Sequence, residues 1–238
     1  MCGIVGIVGN EPVAGRLVDA LKRLEYRGYD SAGVATIDHG VLDRRRAEGK
    51  LFNLEHKLAG DPLPGTTGIA HTRWATHGVP NETNAHPHFV DGVAVVHNGI
   101  IENFSEIREE LLADGATFAS QTDTEVVAQL LAKYTREGLS HRDAMLKMLN
   151  RVTGAYALVV MFQDDPDTIM GALFGPPLAI GWGKGEMFIG SDAIALSPFT
   201  NEITYLLDGD CAILTKTGAE IIDHAGKPVS RQRQITQA

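Results

Sequence analysis

From Gly154 onward the chain is a series of short apolar runs, GAYALVVMF, DTIMGALFG, PLAIGWG, EMFIGSD, EITYLLDGD and CAILTKTG, separated by Gly, Pro, Asp and Asn. Runs of this length bounded by turn residues read as strands rather than helices. The opening GIVGIVG reads as a short buried strand of small residues, SAGVATID as a strand by its β-branched residues, and GVAVVHNGII as the strongest strand signal of the first half. GTTGIAHTRWA reads as a buried strand running into the irregular loop RWATHGVPNETNAHPHFVDG. Helical periodicity clusters in the middle, in ENFSEIREELLADG, TDTEVVAQLLAKYTREG and LSHRDAMLKMLNRVTG. Asn103 with Glu106 and Thr122 with Glu125 match capping boxes, and Ser140 is a third N-cap. An earlier helix is expected over NEPVAGRLVDALKRLEYRG, capped by Asn10, with Pro12 in its first turn and Gly28 at its end. RRRAEGKLFNLEHKLAG reads as a basic turn followed by a short helix. Strands at both ends and helices between them favour an α+β fold with sheets packed between helix layers, and argue against regular βαβ alternation. The polar KPVSRQRQITQA reads as the start of a linker, giving a domain over 2–225 and linker over 226–238.

Length and composition exclude several classes. The 238 residues suffice for a sizeable core. A formal net charge of −9 argues against nucleic acid or an anionic membrane surface as partner. No apolar stretch approaches the roughly 20 residues that span a bilayer. The first residues lack the basic and long apolar regions of a signal peptide. Cys2 and Cys211 do not make a disulfide framework, and a reducing cytoplasm fits them best.

Cys2 directly follows Met1. A start methionine is usually trimmed ahead of a small residue, which would leave Cys2 holding both a thiol and a free α-amine. An α-amine titrates at roughly 7.7–8.0, so it is a base poised beside the nucleophile. The competing reading is an inert buried thiol in a strand. An acyl-transferring thiol needs an oxyanion hole. Asn98 and Gly99 offer one, through a side-chain amide and a backbone N–H. Asn-Gly between apolar runs is equally a hairpin signal. Arg73 is either a surface residue or a fork for a carboxylate. Asp123, at a helix start, is either structural or a partner for an ammonium. Arginine and aspartate together describe the backbone end of a free amino acid. His71, His77, His86, His88 and His97 cluster in sequence and leave a metal hydrolase open as a rival. A domain that binds an amino acid without turnover, and an acylase for another amide, are the other rivals.

MCGIVG, LEYRGYDSAG, GIAHTRWATHG, NAHPH, VVHNGIIEN and TDTEV together resemble the glutaminase domain of the class II glutamine amidotransferases, which are N-terminal-nucleophile hydrolases. RGYDSAG and HTRWATHG resemble the amino-sugar branch rather than the purine branch. The resemblance implies a four-layer αββα sandwich of two antiparallel sheets and hydrolysis of L-glutamine to glutamate and ammonia through a cysteine thioester. It implies Cys2 as nucleophile, its amine as base, and Asn98 and Gly99 as oxyanion hole. It places Arg73 on the glutamine carboxylate and Asp123 on its amine. Trp74, Thr76 and His77 fall in a loop closing over glutamine, and Arg27 near the nucleophile. No cofactor or metal is implied. The implied partners are sugar-isomerase domains of the same enzyme, absent from this chain, in a homo-oligomer. Gln121 departs from the acidic residue expected before TDTEV.

Overall fold

The fold is described from a computed structural model covering residues 2–238. The strands are β1 (Gly3–Val8), β2 (Ser31–Asp38), β3 (Val41–Glu48), β4 (Thr67–Arg73), β5 (His88–Val90), β6 (Val93–Ile101), β7 (Gly154–Phe162), β8 (Asp165–Phe174), β9 (Ala179–Trp182), β10 (Met187–Gly190), β11 (Glu202–Tyr205), β12 (Cys211–Thr215), β13 (Gly218–Ile222) and β14 (Gln234–Ile235). The helices are α1 (Ala14–Lys22), α2 (Leu51–Gly60), α3 (Phe104–Ala113), α4 (Glu125–Arg136), α5 (His141–Arg151) and α6 (Ala193–Leu196). An 8-stranded sheet runs β14-β11-β9-β10-β1-β4-β2-β3, and a 6-stranded sheet runs β13-β12-β8-β7-β6-β5. Neighbouring strands in both are antiparallel. None of the described helices is long and apolar enough to cross a membrane.

Strand periodicity explains the layering. Successive side chains point to opposite faces. In β1, Val5 and Ile7 pack with α1, while Ile4 and Val8 face the other sheet. In β7, Leu158 and Val160 join the core under α4 and α5, while Ala157 and Val159 join the core between the sheets. Three apolar cores therefore separate four layers, helix, sheet, sheet and helix, as the αββα expectation requires. The central strands read as continuous apolar runs because both faces are covered.

Several local expectations are corrected. The first helix begins at Ala14 with Val13 at its N-cap, not at Asn10. Asn10 instead donates from Nδ2 to the Gly185 carbonyl (2.8 Å). Glu25–Arg27 is a separate 3₁₀ turn. Arg44–Arg46 lie in β3 rather than in a turn, with the Arg44 and Arg46 guanidinium groups bonded to the carbonyls of Pro87, Thr83 and Ala85. A short strand, β5, interrupts the expected loop. Neither expected capping box forms: Asn103 bonds Arg151 and Thr153, and Thr122 bonds His88. Tertiary partners outcompete the local cap in each case. Ser140 does cap, accepting from the Asp143 N–H (3.1 Å). In the segment expected as linker, β14 pairs with β11, and Arg231 grips buried Asp210 through two bonds of 2.8 Å.

On the face of β1 turned towards the other sheet, a Cβ added at Gly6 would lie 2.8 Å from Ile189 Cγ2 of the neighbouring strand β10 and 3.5 Å from Ile169 Cδ1 of the facing sheet. Gly6→Val is expected to cost about 1–3 kcal/mol in urea unfolding by crowding Ile189 in the apolar core between the sheets. A loss below about 0.5 kcal/mol, the level of a neutral surface substitution, would show that this contact has slack.

Candidate active site

The pairing of β1 with β4 sets Gly3 opposite Thr72 and so delivers Cys2 to the end of β4, beside Arg73 and Trp74. The Gly3 N–H donates to Thr72 Oγ1 (3.0 Å). The Trp74 N–H points at Cys2 Sγ (3.0 Å). Burial raises the Cys2 thiol above its ordinary value, while the Trp74 N–H and the Arg73 charge oppose that shift. The thiol thus rests protonated and needs a base to become a nucleophile. Met1, on whose removal the expected amine base depends, lies outside the described residues.

The Cys2 carbonyl is held from two sides. Asn98 Nδ2 donates to it (3.1 Å), and so does Arg27 (3.3 Å). Arg27 also pairs with Asp192 (2.7 Å). Asn98 and Gly99 form no hairpin turn: both lie within β6, opposite Ala157 and Tyr156 of β7. Gly99 has φ +115°, and a Cβ there would sit 2.1 Å from the Ala155 carbonyl oxygen, so only glycine fits.

Arg73 is 3% exposed and is not a surface residue. Its guanidinium donates to the carbonyls of Val79 (3.2 Å) and His77, gathering the loop that follows β4. Burial lowers its pKa, with the charges of Asp30, Cys2 and Asp123 acting the other way. Asp123 is buried just ahead of α4. Its Oδ2 accepts from the Ile101 N–H (2.8 Å), and its Oδ1 faces His77 Nδ1 at 3.7 Å. His77 packs edge-on against Phe104, and the Thr76 hydroxyl lies 3.2 Å from its Nδ1. One cavity of about 420 Å³ collects Cys2, Arg27, Arg73, Trp74, Asn98, Gly99 and Asp123, with Thr76 on its wall. His77 reaches the site through Asp123. Gln121, the departure from the family pattern, braces the loop: its Oε1 accepts from Asn84 Nδ2 (3.2 Å) and the Val79 N–H (3.4 Å).

Four of the clustered histidines, His71, His86, His88 and His97, are buried together, with His86 and His97 on the cavity wall. They form ring stacks and hydrogen bonds to Thr122 and Thr124. Among the described residues no three His, Cys, Asp or Glu groups are arranged to hold a metal. Sequence reasoning missed Asp30, whose carboxylate accepts from the Ala75 N–H (2.6 Å) and so anchors the loop. It also missed Ser191, whose hydroxyl accepts from the Ile4 N–H (3.0 Å). Asp30 was visible within RGYDS; Ser191 carried no local signal.

Burial pushes all four histidines down, His71 to about 3, so they are neutral in the folded state. The unfolded chain binds their protons below about pH 6.5, so stability is full above that pH and falls as pH drops. His71 is expected to cost about 1 kcal/mol between pH 7 and 5.5, and the other three shift stability in the same direction. Urea midpoints at the two values measure this, and a flat profile would contradict it.

Residues 71–198 match the family model described as glutamine amidotransferase domain. The chain is 82% identical, over all of its length and 39% of the relative's, to the glutamine–fructose-6-phosphate aminotransferase (isomerizing) of Agrobacterium fabrum. It is 72% identical, with the same coverage, to one of that name from Rhizobium meliloti. The chain thus spans about two-fifths of the length of these curated relatives. Among solved structures it resembles the glutamine phosphoribosylpyrophosphate amidotransferase of B. subtilis, with TM-score 0.79 and 26% identity over 94% of this chain and 49% of that one. A glutamine aminotransferase class-II domain protein from Silicibacter pomeroyi, at TM-score 0.64 and 16% identity over 94% of this chain and 99% of that one, shares the fold.

Proposed function

The chain belongs to the glutamine amidotransferase family, and on that premise we propose that it hydrolyses L-glutamine to glutamate and ammonia at Cys2. The observation that carries this reading is the convergence of a thiol, a buried guanidinium and a buried carboxylate on one cavity. A guanidinium has five N–H donors, of which loop carbonyls use two in Arg73, leaving a fork for the α-carboxylate of the substrate. Asp123 Oδ1 takes the α-ammonium. The loop carrying Trp74, Thr76 and His77 closes over the bound amino acid, tied down by Arg73 and Asp30.

With the α-groups held, the side-chain amide reaches Cys2. The α-amine of Cys2, freed by loss of Met1, takes the thiol proton. The thiolate attacks the amide carbon, and the amine returns the proton to the departing ammonia. Water then releases glutamate from the thioester. Asn98 uses one amide hydrogen on the Cys2 carbonyl and keeps the other for the oxyanion, with the Gly99 N–H as second donor. Arg27 steadies the backbone of the nucleophile.

In the whole protein, as in the relatives' name, the ammonia would aminate fructose 6-phosphate. Residues 2–225 form the glutaminase part. Residues 226–238, which fold back on it through β14 and Arg231, lead towards sugar-isomerase domains of a cytoplasmic homo-oligomer. The two-fifths coverage of the relatives supports such a partner segment.

The test is ammonia release from glutamine without sugar phosphate, by the parent and Cys2→Ala. Turnover in the parent, loss in Cys2→Ala and little activity on asparagine, one methylene too short, are expected. Binding without turnover in the parent would favour a sensing domain. Arg73→Lys keeps the charge but loses the fork. It is expected to raise KM about 10–100-fold, the equivalent of ~1.5–3 kcal/mol from a charged hydrogen bond. An unchanged KM would remove Arg73 from the substrate.

A further inference from the structure

Asn98 can serve an oxyanion only if its amide presents nitrogen, not oxygen, to Cys2. The amide's two ends are nearly the same shape, so its partners choose between them: on one side the Cys2 carbonyl, which only accepts, takes Nδ2 (3.1 Å). On its far side, Asn98 Oδ1 lies 3.1 Å from His71 Nε2. The same nitrogen lies 2.9 Å from the His97 carbonyl oxygen. A carbonyl only accepts, so His71 Nε2 must carry hydrogen. The Asn98 atom beside it must then be the acceptor, Oδ1, and Nδ2 must face Cys2. We propose that His71 is the positioning residue of this site: its Nε2–H, fixed in one tautomer by the His97 carbonyl, locks the Asn98 amide with its N–H₂ turned to the nucleophile. This rests on the glutaminase reading above.

The surroundings admit no other state. Burial keeps the imidazole neutral, with its pKa pushed down to about 3. Its Nδ1 has no hydrogen-bond partner among the described residues, so a second ring hydrogen would be buried unbonded. The ring is clamped face to face on His86, with centroids 4.0 Å apart and planes 9° apart. His86 is held in turn, its Nδ1 accepting from the His97 N–H (3.2 Å). The backbone of His97 thus orients the His71 proton through its carbonyl and the clamping ring through its N–H. β4 carries His71 and β6 carries Asn98, so the lock joins the two sheets.

The test is a double-mutant cycle. His71→Asn shortens the side chain by one methylene relative to His71→Gln, whose amide nitrogen can stand where Nε2 stood. Rates are taken per folded molecule. Asn98→Ala is expected to lower kcat about 100–1,000-fold. His71→Asn should lower kcat ~10–100-fold, as expected of a misaimed donor, with KM within about twofold. His71→Gln should recover to within about threefold of the parent. In the Asn98→Ala background, His71→Asn should cost less than about twofold more, since a lock without its bolt does nothing. Losses that multiply, a His71→Gln as poor as His71→Asn, or a His71→Asn at parental kcat would each overturn the proposal. The side-chain amide resonances of Asn98, identified by their loss in Asn98→Ala, give a readout without turnover. They should shift or broaden in His71→Asn and return in His71→Gln; resonances unchanged in His71→Asn would also overturn it. A parent that fails to hydrolyse glutamine defeats the glutaminase reading, and the lock is then judged by these resonances alone.

Discussion

The antiparallel pairing of β1 with β4 is the contact on which the rest depends. Its register sets Gly3 opposite Thr72, and so sets Cys2 against the backbone of Trp74. A slip of one residue would send each side chain of β1 to the other face, exchanging Ile4 and Val8 with Val5 and Ile7. Both faces are apolar, but they meet different partners, a helix on one side and a sheet on the other. Register is further pinned by Ser191, whose hydroxyl accepts from Ile4, and by Thr72, whose hydroxyl accepts from Gly3. These bonds cross between strands at the point where the chain enters the sheet, so the place of Cys2 follows from hydrogen bonding in the core.

Layering and strand content were legible because a strand covered on both faces reads as an uninterrupted apolar run, and the segments after Gly154 read that way. Helix ends were legible only where no distant partner competed. Ser140 caps as its position suggests. Asn103 and Thr122 do not, because Arg151, Thr153 and His88 offer their side chains partners that a linear pattern cannot reveal. The Arg44–Arg46 segment looked like a turn because cations are seldom buried. In β3 their guanidinium groups find carbonyls from the loop before β5. Burial lowers the pKa of both Arg44 and Arg46.

The site itself was legible to the extent that its chemistry was. A thiol, a fork for a carboxylate and a carboxylate for an ammonium are unusual demands, and the residues proposed for them, Cys2, Arg73 and Asp123, line one cavity. Asn98–Gly99 was ambiguous because the same pair suits a hairpin. The structure keeps both residues in β6. What escaped was the supporting shell, Asp30, Ser191 and the His71–His97 contact. Those residues act through groups brought together from separate strands, and for His71 and His97 from opposite sheets, and no spacing along the chain records that.

The cavity takes Cys2 and Arg73 from one sheet and Asn98 and Gly99 from the other. Between the sheets lies an apolar core with no covalent crosslink, since Cys2 and Cys211 are free. The groups proposed to react therefore straddle a seam along which the domain can loosen while the strands of each sheet remain hydrogen-bonded to one another. Chemistry that depends on sub-ångström placement senses such loosening sooner than backbone spectroscopy does. On the glutaminase reading, loss of turnover under heat or mild denaturant runs ahead of loss of circular dichroism, making the rate the more sensitive gauge of how firmly the two sheets are pressed together.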